Sequence, residues 1–187
     1  MGAWHNPSPP GEYKRWTLVE YALRAGIDTL VETGSCDGDT IEYTRWFFRD
    51  VYSIELSDFF YGLCLQRFAG CPNVHLFHGD SAVVLPCILH GIGRPAVFWL
   101  DAHWSEGRTA RGPQDSAIQG ELDAILGWGR DDIVVVIDDM RAFGTAKDYP
   151  PVEDIRRRLL DAHPDWSFYV QDDIARAHRP FQEKRNA

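Results

Sequence analysis

No apolar run in these 187 residues approaches the roughly 20 needed to cross a bilayer. The opening MGAWHNPSPPGEYKRW lacks the apolar stretch of a secretory leader, and Asn6 stands where a myristoylation site needs Ser or Thr. Cysteine is scarce, four in all, and Cys36, Cys64, Cys71 and Cys87 form no C-x-x-C pair. That spacing argues against zinc and dithiol chemistry, so free thiols in a cytoplasmic compartment are expected. Positive charge is also short: 19 Lys and Arg face 28 Asp and Glu, a net charge of −9, which argues against a nucleic-acid or anionic-membrane partner. No internal repeat or interdomain linker interrupts the chain. A hydrophobic content of 44% is that of a globular protein, and the length suits one domain with a real core.

What is present centres on residues 29–55. Leu30 and Val31 end a short apolar run, Glu32-Thr33-Gly34-Ser35-Cys36-Asp37-Gly38 follows, a helical pattern starts near Asp39, and Val51–Ile54 stops at Glu55. Strand, glycine turn, helix, strand and acid make half of a nucleotide-binding α/β unit. Glycines allow close backbone approach, the helix start offers free N–H groups, and a carboxylate after the second strand can accept both ribose hydroxyls. The turn reads E-x-G-x-x-x-G instead of G-x-G-x-x-G. An acid before its first glycine repels a pyrophosphate and attracts an ammonium group.

The rest of the chain repeats this alternation. Residues 1–12, rich in proline and glycine, read as a flexible arm; 13–178 form the domain and 179–187 a polar tail. Trp16, Val19 and Leu23 recur at helical spacing up to Gly26, in a helix that covers either the sheet edge or the mouth of the site. Ser57 can cap a helix facing inward through Phe60, Leu63, Cys64 and Phe68. Further strands are expected at 73–77, 96–100 and 133–137, the last two apolar throughout and so buried on both faces. Asp115 is expected to cap a helix carrying Ile118, Leu122, Ile125 and Leu126, and Pro151 to open one carrying Val152, Ile155 and Leu159. Residues 166–170 and 174–177 flank Gln171-Asp172-Asp173 as a hairpin. Five strand-and-helix units and then a hairpin define an α/β fold.

The turn at Glu32–Gly38 resembles motif I of the class I S-adenosylmethionine (SAM)-dependent methyltransferases, usually E/D-x-G-x-G-x-G, with Cys36 at the place of the middle glycine. The resemblance covers roughly residues 27–177. It implies a Rossmann-like, doubly wound, mostly parallel seven-stranded sheet with a C-terminal antiparallel hairpin. It also implies SAM held by Glu32, Gly34, Ser35, Gly38, Glu55, Asp80, Ser81 and Asp101. Asp80 is placed to meet the adenine amino group or to cap the next helix. Glu32, Glu55, Asp80, Asp101, Asp138 and Asp139 all fall at strand ends, where like charges repel unless cations lie among them. Asp101 followed by Asp138-Asp139 is similar to the pattern of metal-dependent small-molecule O-methyltransferases of the catechol and antibiotic-sugar types. There those three acids hold Mg²⁺, or equally Mn²⁺. His103, two residues past Asp101, is placed to act as general base, with Asp101 beside it as the second catalytic candidate. Trp104 either walls a substrate or packs. Arg108, Arg111 and Arg141 either meet an anionic substrate group or lie in solvent, and residues 104–114 read as a mobile loop. Exposed-looking Trp4 and Trp46 fit a homodimer contact or a substrate wall. The expected activity is O-methylation of a small hydroxylated molecule, a sugar or natural-product intermediate. The alternatives are a non-catalytic methyltransferase-like subunit that binds a partner, and a nucleotide-binding oxidoreductase.

Overall fold

The computed structural model describes residues 8–104 and 109–181. Trp4, Asn6, Arg108, the start of the arm and residues 182–187 of the tail lie outside them. Seven strands form one sheet in the order β3-β2-β1-β4-β5-β7-β6. They are β1 (Thr29–Thr33), β2 (Asp50–Glu55), β3 (Val74–His78), β4 (Val97–Leu100), β5 (Val134–Ile137), β6 (Ser167–Gln171) and β7 (Ile174–His178). The first five run parallel, and β7 is antiparallel to both β5 and β6. Strand order reverses between β1 and β4, which puts the crevice of a doubly wound sheet beyond their carboxyl ends.

The pleat sorts side chains to two helical layers. Val31, Phe98, Leu100, Val135 and Ile137 pack with α4 (Ser81–Leu89), α5 (Ile118–Gly127) and α6 (Val152–Ala162). Leu30, Val97, Trp99, Val134 and Val136 pack with α1 (Gly11–Ala25), α2 (Asp39–Thr44) and α3 (Asp58–Arg67). β1, β4 and β5 are buried on both faces, as their continuous apolar runs require.

Several local expectations are corrected. α1 begins at Gly11, inside the segment read as an arm, and its inward side is Leu18, Val19, Tyr21 and Ala22. Trp16 and Leu23 face solvent at 47% and 69% exposure. Of the three residues at helical spacing, Val19 faces inward and Trp16 and Leu23 do not. α5 has Ala117, not Asp115, at its cap; the Asp115 side chain pairs with Arg111 instead. Arg179, expected in the frayed tail, bonds Asp165, and Phe181 stacks on His178.

Two turns position the site. Asp139 adopts a left-handed conformation at φ 56°, which breaks β5 into a short 3₁₀ turn over Met140–Ala142. At the hairpin, Asp172 and Asp173 both have positive φ, 49° and 63°, the geometry of a two-residue type I′ turn that matches strand twist.

Candidate active site

Backbone pairing continues past the strand ends and aligns the rim. Gly34 N–H donates to the Ile54 carbonyl at 2.8 Å, Asp101 N–H to Thr33 at 3.2 Å and Asp138 N–H to Leu100 at 3.1 Å. Gly34, Asp101 and Asp138 therefore sit side by side on neighbouring strands. Beyond them opens a cavity of about 470 Å³, walled by Gly34 and Cys36 after β1, Glu55 and Leu56 after β2, Gly79–Ala82 after β3, and Asp101–Trp104 after β4. Residues 109–115 form its outer wall. A volume in this range suits a cofactor-sized ligand.

Glu55 accepts from Cys36 N–H at 2.9 Å on one oxygen and from Ser57 N–H at 2.7 Å on the other. Those two anchors fix the carboxylate plane and tie the turn after β1 to the end of β2. Asp80 caps the next helix, α4, and also lies on the cavity wall opposite Gly112. One of its oxygens accepts from Ala82 N–H at 2.9 Å.

Glu32 is placed elsewhere. It is 1% exposed, lies outside the cavity wall and accepts from the Ser53 hydroxyl at 2.5 Å, while Ser35 bonds the same Ser53 at 2.6 Å. Burial pushes its carboxyl up to about 8. Ser35 and Gly38 likewise shape the turn from beneath, outside the cavity wall. Gly38, at φ 79°, leads into α2, and a Cβ there would meet the Phe68 ring at 2.7 Å. The side chain of Ser81, though its residue lines the cavity, donates inward to Glu121 at 2.6 Å. Glu121 was not singled out in sequence. It is 1% exposed in α5, and burial raises it to about 7.

Asp101 and Asp139 both lie beside His103, and Asp138 lies next to Asp139 in a second group with Asp173. His103 Nδ1 is 3.2 Å from Asp101 Oδ1 and its Nε2 is 3.1 Å from Asp139 Oδ2. The residue is held by backbone pairing with Ser116. Burial alone lowers the imidazole pKa, but Asp101 and Asp139 outweigh it and leave His103 raised. Burial also raises Asp101.

Sequence reading missed Lys14 and the acids of this chain that Arg141 pairs with. Lys14 reaches from α1 to Asp138 Oδ2 at 2.5 Å and lies 3.9 Å from Asp139. Asp138 Oδ1 accepts from Asp139 N–H at 2.8 Å, so both of its oxygens are engaged. Burial, with repulsion from Asp101 and Asp139, pushes Asp138 up to about 7, and Lys14 pulls against that shift. Arg141 pairs with Asp139 at 2.8 Å and with Asp173, which also accepts from Arg141 N–H at 2.6 Å. Tyr13, next to Lys14, donates its hydroxyl to Asp172 at 2.7 Å. Nothing local to Lys14 marks it out, because its partner lies 124 residues away. Trp104 lines the cavity under the Arg111 guanidinium at 4.3 Å.

This strand order, with its cavity at the switch point, is the fold of the class I SAM-dependent methyltransferases. No family model matches the chain, and no curated protein matches it in sequence. Solved structures match its fold. Over 91% of this chain and 81% of the other, it is similar to the O-methyltransferase TomG from Streptomyces achromogenes, involved in tomaymycin synthesis and solved with SAM, at TM-score 0.61 and 18% identity. The S-adenosylhomocysteine-bound methyltransferase PaMTH1 from Podospora anserina gives 0.60 at 13% identity, over 92% of this chain and 80% of that one. The N-methyltransferase NodS from Bradyrhizobium japonicum, with S-adenosylhomocysteine, gives 0.59 at 12% identity, over 92% and 89%.

Proposed function

We propose that this chain transfers a methyl group from SAM to a hydroxyl oxygen of a small molecule. The observation carrying this reading is the pair of anchored acceptors on the cavity wall. Glu55, fixed by two backbone donors, keeps outward lone pairs for a ribose diol, and Asp80 keeps one oxygen for an adenine amino group. Asp101, on the same wall, replaces Glu32 as the carboxylate nearest the cationic end of the cofactor. Bound there, SAM supplies a methyl group already activated by its sulfonium. The chain aligns the acceptor oxygen in line with it and excludes water.

His103 borders both the cavity and the acid cluster, where it can take a hydroxyl proton. In the structure Nδ1 lies 3.2 Å from Asp101 and Nε2 3.1 Å from Asp139, so Nε2 takes a substrate proton once it swings off Asp139, and Asp101 on the other side of the ring then stabilises the imidazolium.

A divalent ion, Mg²⁺ or Mn²⁺, is the other way to balance this rim. Donor atoms of Asp101, His103 and Asp139 lie within 4.8 Å of one another, as do those of Asp138, Asp139 and Asp173. The set Asp101, Asp138 and Asp139 fits an ion poorly: Asp138 has both oxygens committed, and His103 turns a different nitrogen to each carboxylate. A single ion meets only one imidazole nitrogen.

Calorimetric titration with SAM tests the reading. We expect saturable binding, weakened at least about tenfold by Glu55→Ala. Transfer of labelled methyl to a panel of catechols, sugars and phenols follows. A chain that binds neither SAM nor S-adenosylhomocysteine removes the proposal and favours a partner-binding role.

A further inference from the structure

Resting on the methyl-transfer reading, we propose that Lys14 takes the place of a divalent cation at the ends of β4 and β5, holding Asp138 and Asp139 so that the Asp101–His103–Asp139 chain works without metal. The arrangement of charges carries it. Asp138 meets Lys14, Asp139 meets Arg141 and lies 3.1 Å from His103, and Asp101 lies 3.2 Å from His103 with its Oδ1 buried and without a hydrogen-bond partner, so it is the two acids after β5 that already face fixed cations of the chain itself. The space left among them is a void of about 10 Å³, at the lower limit for a single water. A Mg²⁺ ion keeping several of its waters needs more room.

Lys14 is held in place from both sides. Its side chain is 18% exposed, and its neighbour Tyr13 is bonded to the hairpin tip at Asp172. The same tip holds Arg141 through Asp173. Two elements distant in sequence, the N-terminal helix and the C-terminal hairpin, thus deliver both fixed positive charges to one pair of acids. Lys14 is a positioning residue: it sets Asp138, whose other oxygen receives the Asp139 N–H, and so fixes the left-handed turn that aims Asp139 at His103.

The test uses the full chain stripped with EDTA, with Mn²⁺ uptake read by electron paramagnetic resonance and SAM binding by calorimetry. The wild type is expected to bind SAM, take up no Mn²⁺ at about 1 mM and transfer methyl groups equally with and without EDTA. Lys14→Ala frees the acid pair, and is expected to bind about one Mn²⁺ per chain and to lose at least about tenfold in kcat with little change in KM for SAM. Lys14→Arg restores the charge and recovers most of the rate. One Mn²⁺ per wild-type chain, lost in Asp139→Asn, overturns the proposal, as does a Lys14→Ala chain with unchanged kcat. The wild-type titration decides even if Lys14→Ala does not fold. Absence of SAM binding counts against the methyl-transfer reading alone, because metal uptake is read separately.

Discussion

Glu32 carries a carboxyl group into the sheet interior, and its consequence is a pH dependence of stability. Its value rises from 4.5 to about 8 because burial disfavours the charged form. Below the lower value both folded and unfolded chains are protonated there and no cost arises. Between the two values the unfolded chain loses its proton while the folded chain keeps it, so this group's contribution to stability falls as pH rises. Above about 8 the full penalty is present, on the order of a few kcal/mol. Glu32→Gln removes it while preserving an acceptor for Ser53. Urea midpoints are expected to favour the variant by a wide margin near pH 9 and to converge near pH 4. Parallel midpoints for the two chains across that range contradict the assignment.

At the level of elements, Gly34 shows why the turn after β1 tolerates one residue type. It has φ 86°, and a Cβ there would lie 2.7 Å from the Asp101 carbonyl oxygen, a backbone atom unable to rotate away. Gly34→Ala is expected to cost about 2–4 kcal/mol in urea unfolding and to lower turnover by displacing Asp101. By contrast Cys36, at φ 47°, bears a side chain in an unfavourable conformation and lines the cavity where the usual motif has glycine. The strands and most helices were legible because their signals are local: Val134–Ile137 is continuously apolar, and Gly26 stops α1 at φ 70°. The face of α1 was legible only at Val19, since Trp16 and Leu23 have the same helical spacing and yet face solvent. Asp115 has the chemistry of a cap, but Arg111 claims it. At the site, the carboxylates could be read off strand ends, whereas Lys14, Arg141's role and Glu121 depend on contacts made across the whole sheet.

For the whole molecule, a cofactor that binds only the folded state raises stability with concentration. SAM at about 100 times its Kd contributes about 2.7 kcal/mol, equivalent to roughly 5–10 °C in melting temperature for a chain of this size. A scanning fluorimetry series should show that rise in the wild type and little of it in Glu55→Ala; equal shifts in both chains place SAM outside this cavity. The order β5-β7-β6 has a second consequence, for synthesis. β7, the last strand made, inserts between β5 and β6. Without it the Val134–Ile137 backbone is expected to present an unpaired, uncharged edge of the kind that recruits other strands. A chain stopped after Asp165 is expected to sediment as aggregate during expression. Its nascent form is accordingly a client for chaperones that bind extended apolar segments.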